Sequence, residues 1–186
     1  IPLAFLSLCI AGYASASDVA LSPVTGEIVV PTGAVKSVAF AAGELNAILV
    51  RAFGAPLPVV RTPTAGRLSV VLGDCAEARA AGIDVAALAH DAFTVKVTPT
   101  RVFIAGRDDP ALDLKDRLAN ADRHGCTVGD GERATLFGVY AFLERHFGVR
   151  FYFPGDLGTI VPKASVVRLP IGCETKGPIF TVRSIY

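Results

Sequence analysis

The segment from residue 134 to residue 155 constrains the fold more than any other, because it joins an almost entirely apolar helix to an aromatic strand. It reads ATLFGVYAFLERHFGVRFYFPG, and no charged residue lies between Leu136 and Leu143. A helix with one face in water carries charged or polar residues on that face. We therefore expect this helix to be covered on two sides, by its own sheet and by a neighbour outside this fragment.

The composition sets the size and class of the protein. The chain has 186 residues, of which 52% are hydrophobic, so it is long enough for one domain with a core and too short for a domain plus a complete barrel. Its formal net charge is +1, and it has no basic cluster. This balance argues against a nucleic-acid partner.

Residues 1–16 have the pattern of a signal peptide. An apolar run from Ile1 to Ala11 is followed by small residues at the positions that a signal peptidase reads before Ser17. The run is shorter than the roughly 20 apolar residues that a membrane span needs. We therefore expect an N-terminally incomplete, secreted or periplasmic protein without a membrane span.

Cysteine usage leaves the disulfide pattern open. Residues 17–186 contain Cys75, Cys126 and Cys173, an odd number, so one intrachain disulfide at most can form. Spacing does not choose among the three pairings, and buried free thiols are an equally good alternative.

Periodicity predicts alternating strands and helices. A helix with apolar residues at helical spacing runs from Val38 to Phe53 and ends at Gly54, and a second helix begins near Glu132. Predicted strands are 27–30, 57–60, 68–72, 149–153 and 166–169, with an antiparallel hairpin at 93–97 and 102–104 and an extended tail at 177–186. Short helical turns are predicted at 76–81, 85–89 and 112–120. The predicted fold is α/β (α+β), with a mixed, mostly antiparallel sheet and two main helices packed on one of its faces.

Residues 107–131 form a long polar connection, of a kind usually found at a functional site or docked on a neighbour. The carboxylate pairs lie there or at its end, and two carboxylates can act together as a general acid and a general base or nucleophile. They are Asp108 with Asp109, Asp113 with Asp116, and Asp130 with Glu132. No apolar run adjoins them to raise a carboxyl pKa, so we expect solvated loop residues and no catalytic residue.

Two other patterns resemble ligand sites and are better explained structurally. Gly129-Asp130-Gly131 precedes a helix, but no strand leads into it and no Lys-Ser or Lys-Thr follows, so Asp130 is predicted to be an N-cap. Only His124 and Cys126 lie close together among the histidines and cysteines, which is too few ligands for zinc. His146 is predicted to be a favourable charge at a helix C-terminus. We expect no metal and no cofactor.

Several motifs together resemble one known type of domain. They are Ile104-Ala105-Gly106 at the hairpin end, GVYAFLE at 138–144, GVRFYFPG at 148–155 and VPK at 161–163. This set resembles the end of the N-terminal α/β domain of secreted glycoside hydrolases, especially of the alpha-glucuronidase type, and hexosaminidases carry a similar domain. The resemblance implies that residues 1–16 are a signal peptide remnant, 17–170 a non-catalytic accessory domain, and 171–186 a linker and the first strand of an absent catalytic (β/α)8 barrel.

The resemblance also implies a partner and one site residue. The partner is the catalytic barrel of the same chain, whose carbohydrate substrate would be hydrolysed by carboxylates beyond Tyr186. Pro178-Ile179-Phe180-Thr181-Val182-Arg183 matches the strand that opens such a barrel, so Arg183 is implied to bind substrate; an exposed arginine is the equal alternative. The accessory domain would support the barrel and lend the 107–131 loop to the rim of its glycan site.

A second hypothesis is a free-standing module that binds carbohydrate or another protein through aromatic rings. Strand alternation places Val149, Phe151 and Phe153 on one face and Tyr152 on the other, so that Tyr152 alone is an obvious platform. A third hypothesis, an independent small hydrolase, lacks a convincing catalytic set.

Overall fold

The computed structural model describes residues 17–120 and 131–178. Within them, the strands are β1 Asp18–Leu21, β2 Gly26–Val29, β3 Val59–Val60, β4 Leu68–Leu72, β5 Phe93–Val97, β6 Arg101–Gly106, β7 Arg150–Phe151, β8 Thr159–Ile160, β9 Val167–Pro170 and β10 Gly172–Lys176. The helices are α1 Lys36–Phe53, α2 Ala76–Ala80, α3 Leu114–Ala119 and α4 Ala134–Phe147, and a 3₁₀ turn spans Asp156–Gly158. No helix of this part of the chain is long and apolar enough to cross a membrane.

Six strands form the main sheet, in the order β10-β5-β6-β4-β2-β3. The strands β6, β4, β2 and β3 are mutually parallel, and β5 and β10 are antiparallel additions at one side. Two antiparallel ribbons, β1 with β9 and β7 with β8, lie outside this sheet. The α+β class and the mixed sheet are therefore confirmed.

Antiparallel pairings are the majority only when the ribbons are included. Four of the seven pairings in the described residues are antiparallel, whereas three of the five in the main sheet are parallel. The parallel pair β2 and β3 follows from α1, which crosses over between the two strands, as parallel neighbours require. The central strand β4 is buried along its whole length, as its continuous apolar run predicts.

The two long helices share one face of the sheet, as predicted, and the short helix α2 covers the other. The larger core joins inward residues of both long helices to alternate strand residues, whereas Val71 and Phe103 point to the opposite face, where they pack near Ala78 of α2. Both long helices end at a glycine in the left-handed region, Gly54 at φ 81° and Gly148 at φ 68°.

The second neighbour of α4 lies within the domain. One side of α4 packs on β5 and β6, and another packs on α1, where the rings of Phe147 and Phe53 meet edge to face at 5.5 Å. Phe137, Tyr140 and Ala141 remain half-buried. The prediction that an element outside the fragment covers this helix is therefore corrected, because α1 supplies that cover.

Several predicted boundaries also change. Gly172–Lys176, assigned to a linker, is an edge strand of the main sheet hydrogen-bonded to β5, so the domain extends at least to residue 176. The predicted strand at 149–153 shortens to Arg150–Phe151, and the helical turn expected at 85–89 is irregular. β1 was not predicted; it pairs with β9, far along the chain.

The described cysteines are free thiols. Cys75 is buried, and its sulfur accepts a hydrogen bond from the backbone N–H of Ala78 at the start of α2, whereas Cys173 is exposed on β10. These two cysteines are therefore not bonded to each other. The predicted signal peptide, Cys126 and Arg183 lie outside the described residues.

Candidate functional site

The outer side of α1 carries a stripe of small and apolar residues that no other described part of the chain covers. Ala39, Gly43, Ala47 and Val50 are all exposed, at spacings that put them on one side of the helix. A Cβ added to Gly43 would meet no atom within 4 Å. Small residues on a helix allow another backbone to approach closely.

The β7–β8 ribbon presents aromatic rings beside this stripe, where Ala47 lines a groove together with Tyr152 and Phe153. Tyr152 is 69% exposed and Phe153 is 57% exposed. Because β7 ends at Phe151, the alternation assumed from the sequence stops there, and Phe153 is exposed as well as Tyr152. The turn is tight: a Cβ on Gly158 would lie 2.0 Å from the carbonyl oxygen of Phe153, so only glycine fits. We call the surface formed by Ala39, Gly43, Ala47, Val50, Tyr152 and Phe153 the open face.

A groove of about 680 Å³ runs between the ribbon and the two long helices. Its floor is fixed by Tyr140, whose ring meets Phe151 edge to face at 5.2 Å and whose hydroxyl donates to Glu44 Oε2 at 3.0 Å. Burial, together with the Glu44 charge and hydrogen bond, raises the pKa of Tyr140. Arg51 ties α1 to the ribbon by donating to the carbonyl oxygen of Thr159 at 2.6 Å. The groove is thus a built surface with ordered walls.

A second depression, which we call the edge pocket, lies at the carboxyl ends of β2, β4 and β6 and measures about 480 Å³. The chain leaves β2 toward α1 on one face of the sheet and leaves β4 toward α2 on the other face. In open α/β sheets such a divergence of neighbouring parallel strands leaves a crevice where ligands bind. The pocket is lined by Gly33, Ala34, Val35, Val38, Gly73, Asp74, Val85, Ala86, Gly106, Arg107, Asp108, Pro110 and Glu132.

Asp108 lies in this pocket and is not a solvated loop residue. Its carboxylate accepts hydrogen bonds from the backbone N–H of Thr135, at 3.2 Å, and from the Thr135 hydroxyl. Burial raises the pKa of Asp108 to about 6, against the opposing effect of these hydrogen bonds. The expectation of an ordinary carboxyl pKa is therefore wrong for this residue. Its position directly after a buried parallel strand was the sequence signal that could have identified it.

The other predicted carboxylate pairs have structural roles or lie outside the described residues. Glu132 pairs with Arg107 at 3.1 Å, while Asp130 is among the residues not described. Asp113 accepts from the backbone N–H of Asp116 at the start of α3. A hydrogen bond from Lys36 lowers the pKa of Asp113. Among the described residues, Asp108 and Glu132 come from different predicted pairs but line the same pocket, and the Glu132 charge contributes to the raised pKa of Asp108, while Glu132 itself is engaged by Arg107.

The histidine predictions are partly corrected. Burial, assisted by the charge of Arg145, lowers the pKa of His146, which disfavours the charge that its place at a helix C-terminus had suggested. His90 lies 3.4 Å from Asp91, and His124 lies outside the described residues. In residues 17–120 and 131–178, no group of three or more metal-ligating side chains comes together.

Comparison with known proteins bears on the fold. No protein-family description and no curated protein matches the sequence. Among solved structures, the chain is similar to a family GH115 4-O-methyl-alpha-glucuronidase with specificity for decorated arabinogalactans, at TM-score 0.51 and 15% identity, over 86% of this chain and 18% of that one. A Streptomyces plicatus beta-hexosaminidase in complex with GlcNAc gives a TM-score of 0.42 and 14% identity, over 83% of this chain and 23% of that one.

The chain therefore spans about a fifth of the length of these proteins. At this identity, the first likeness shows the fold alone, and the second is too weak to argue from. The fold of this chain is one that also occurs within that GH115 alpha-glucuronidase.

Proposed function

We propose that this chain is a non-catalytic accessory domain of a secreted glycoside hydrolase of the alpha-glucuronidase type, acting in polysaccharide breakdown, and that the open face docks on the catalytic barrel of the same protein. The observation that carries the proposal is the exposed stripe of Ala39, Gly43, Ala47 and Val50, in which Ala47 lines one groove with the exposed rings of Tyr152 and Phe153. A contiguous apolar surface of this kind marks an interaction site.

The charges around the groove indicate what the docking surface should look like. Glu44, Glu144 and Asp156 line the groove together with a single cation, Arg51. Arg51 is already engaged with Thr159 and lies 3.4 Å from Asp156. A barrel surface that fits this groove would place apolar side chains against the rings and Arg or Lys at the rim, where cations can also stack on the aromatic faces.

The signal peptide, export and substrate contact by Arg183 are parts of the same proposal. They rest on the sequence pattern of residues 1–16 and of residues 178–183. The first experiment is to measure the mass and peptides of the native secreted protein. We expect a sequence that continues past Tyr186 with βα alternation and paired acidic residues at strand ends. A natural stop near Tyr186 would overturn the proposal.

A pair of glycine substitutions in the intact protein tests the docking surface. In Gly43→Arg, the new side chain starts from open space on the open face, so the domain folds but the barrel is held off. We expect the intact wild-type protein to unfold in one calorimetric transition and this variant to unfold in two. Gly172→Arg, at another exposed glycine with no atom near its Cβ, is the matched control and should keep one transition. Identical melting of both variants and the wild type would contradict docking at this face.

The position of α3 limits which residues of the 107–131 loop could contribute to the rim of the glycan site. Leu112 and Leu114 are buried, and Lys36 holds Asp113 at 2.8 Å, so the inner side of this segment is committed to the domain. Any contact with substrate would come from the outer side of α3, where Leu118 is 66% exposed. We expect Leu118→Ser in the intact enzyme to change KM for polymeric substrate more than for a small aryl glycoside. Unchanged kinetic constants on both substrates would contradict a contact between this loop and the substrate.

A carbohydrate-binding module is the second candidate function, favoured by the same exposed rings. Tyr152 and Phe153 offer stacking faces beside the carboxylate of Glu144, which can accept hydrogen bonds from hydroxyls. Titration of the 186-residue chain with xylan and arabinogalactan oligosaccharides distinguishes the two functions. Binding that is lost in Tyr152→Ala would favour the module, and absence of binding would favour docking.

A further inference from the structure

We infer that the edge pocket binds a small, neutral, polyhydroxylated molecule of the size of a single sugar unit. This inference goes beyond docking by the open face and does not depend on it, because the two surfaces share no lining residue. It rests on three observations: where the pocket lies in the sheet, which of its charged side chains are paired within the protein, and the presence of both apolar and carboxylate side chains in its lining.

The position is one that the fold itself creates. The β2–α1 loop contributes Gly33 and Ala34, and the β4–α2 loop contributes Gly73 and Asp74, on the two sides of the divergence. Gly73 has φ 80°, and a Cβ there would lie 2.8 Å from Val38 Cγ2, so the close approach of this loop to α1 requires glycine. The volume of about 480 Å³ falls in the range of small-molecule sites.

The charges in the pocket are nearly balanced by pairs inside the protein. Asp74 is bonded to Arg79 at 2.8 Å, and Glu132 is bonded to Arg107 at 3.1 Å. Asp108 is hydrogen-bonded to Thr135 and forms no ion pair with a cation in the part of the chain that the structure describes. The surplus is thus carboxylate, which disfavours an anionic ligand. Carboxylates accept hydrogen bonds and cannot donate them when ionised, so the matching ligand supplies hydroxyl donors.

The other side chains that line the pocket are apolar and could contact the C–H groups of such a ligand. Ala34, Val35 and Val38 face the pocket from the start of α1, and Val85 and Ala86 face it from the loop after α2. Sugars present C–H groups on one face and hydroxyls around the edge, so apolar walls beside hydroxyl acceptors fit both. The pocket lacks an aromatic ring in its lining, so we expect weak binding, in the millimolar range.

The test is an NMR titration of the 186-residue chain with glucose, galactose and xylose, and with glucuronate as the matched anion. We expect saturable shifts of backbone amides at 33–35, 73–74 and 106–108 with at least one neutral sugar, and at least several-fold weaker binding of glucuronate. Flat titrations with all three neutral sugars, tighter binding of glucuronate, or shifts confined to Tyr152 and Phe153 would each overturn the inference.

Two neighbouring alanines provide the blocking variant and its control. Ala86 and Ala87 are both exposed, and both backbone N–H groups donate to Asp84 Oδ1, but Ala86 alone of the two lines the pocket. We expect Ala86→Phe to weaken binding at least tenfold and Ala87→Phe to leave it unchanged. Equal effects of the two substitutions would contradict a site in this pocket. Because binding here is read from amides of the pocket lining, which shares no residue with the open face, its failure leaves the docking proposal untouched.

Discussion

The two long helices have similar apolar content, but α4 is enclosed by other elements of the domain, whereas one side of α1 is exposed. α4 has a charge-free middle and is enclosed by the sheet and by α1, whereas α1 carries Lys36, Glu44 and Arg51 and yet leaves a stripe of small residues open. The difference teaches that missing charge indicates burial but not the identity of the neighbour. Exposed small residues on an otherwise ordinary amphipathic helix are the better indication of an external partner.

The largest effect should come from truncating the centre of α4. Phe142 is 1% exposed, so Phe142→Ala should lower the free energy of unfolding by about 3–5 kcal/mol. Phe153→Ala, on the open face, should change it by less than about 0.5 kcal/mol in the 186-residue chain. Urea denaturation measures both. Similar losses for the two phenylalanines would break the contrast between the enclosed helix and the open face.

Adding one methyl group at the helix–sheet contact should have the next largest effect. A Cβ at Gly138 would lie 2.7 Å from Ile104 Cγ2 and 3.2 Å from the Phe93 ring. We expect Gly138→Ala to cost about 1–3 kcal/mol through overpacking of α4 on β5 and β6. The thermal midpoint of the variant checks this, and a midpoint at or above that of the wild type would show that α4 can move away from the sheet.

The starts of the two helices should also respond differently to pH. α4 is tied to Asp108 through Thr135, whereas α1 begins at Lys36, and its N-cap residue Val35 makes no side-chain hydrogen bond. The pKa of Asp108 is about 6 in the folded protein, against an ordinary value of 3.8, so the protonated form is favoured by folding. The stability that this residue contributes is therefore present below about pH 3.8 and is lost as the pH rises through about 6.

We expect Asp108→Asn to flatten the decline of the thermal midpoint between pH 4 and pH 6.5, an effect on the order of 1 kcal/mol. Asp109→Asn, at the adjacent carboxylate, is the control and should keep the wild-type slope. If the thermal midpoints of both variants depend on pH as that of the wild type does, Asp108 is not the source of the pH dependence of stability.

The smallest effect should be a gain at the open face. Gly43 lies in the interior of α1 with open space around its Cβ position, so Gly43→Ala should stabilise the 186-residue chain by up to about 1 kcal/mol through helix propensity. The same substitution is expected to destabilise the protein at Gly138. The difference in stability between the two Gly→Ala variants therefore measures the contrast between the exposed side of α1 and the enclosed α4. Destabilisation by Gly43→Ala would mean that its position is not free.

Local sequence signals predicted the elements that depend on near neighbours. The period of α1, its end at Gly54, the apolar run of β4 and the β5–β6 hairpin are all set by residues close in sequence. They are confirmed because turn chemistry and periodicity act over a few residues.

The features that were missed depend on distant partners. β1 is four residues long and exists because it pairs with β9. β10 has polar residues on both faces, and its pairing with β5 makes it a strand. Asp108 acquires its raised pKa from burial beside α4, 27 residues away in sequence at Thr135. A single sequence does not reveal such encounters.

The pairing of β1 with β9 and of β5 with β10 also governs how the domain is made on the ribosome. The edge of β5 stays without its neighbour until residues 172–176 have left the exit tunnel, and the N-terminal strand waits equally long for residues 167–170. Such long-range closures slow folding and leave strand edges available to wrong partners in the meantime. Newly made chains should therefore depend on chaperone protection until residues 172–176 emerge, and pausing translation before residue 170 should increase aggregation.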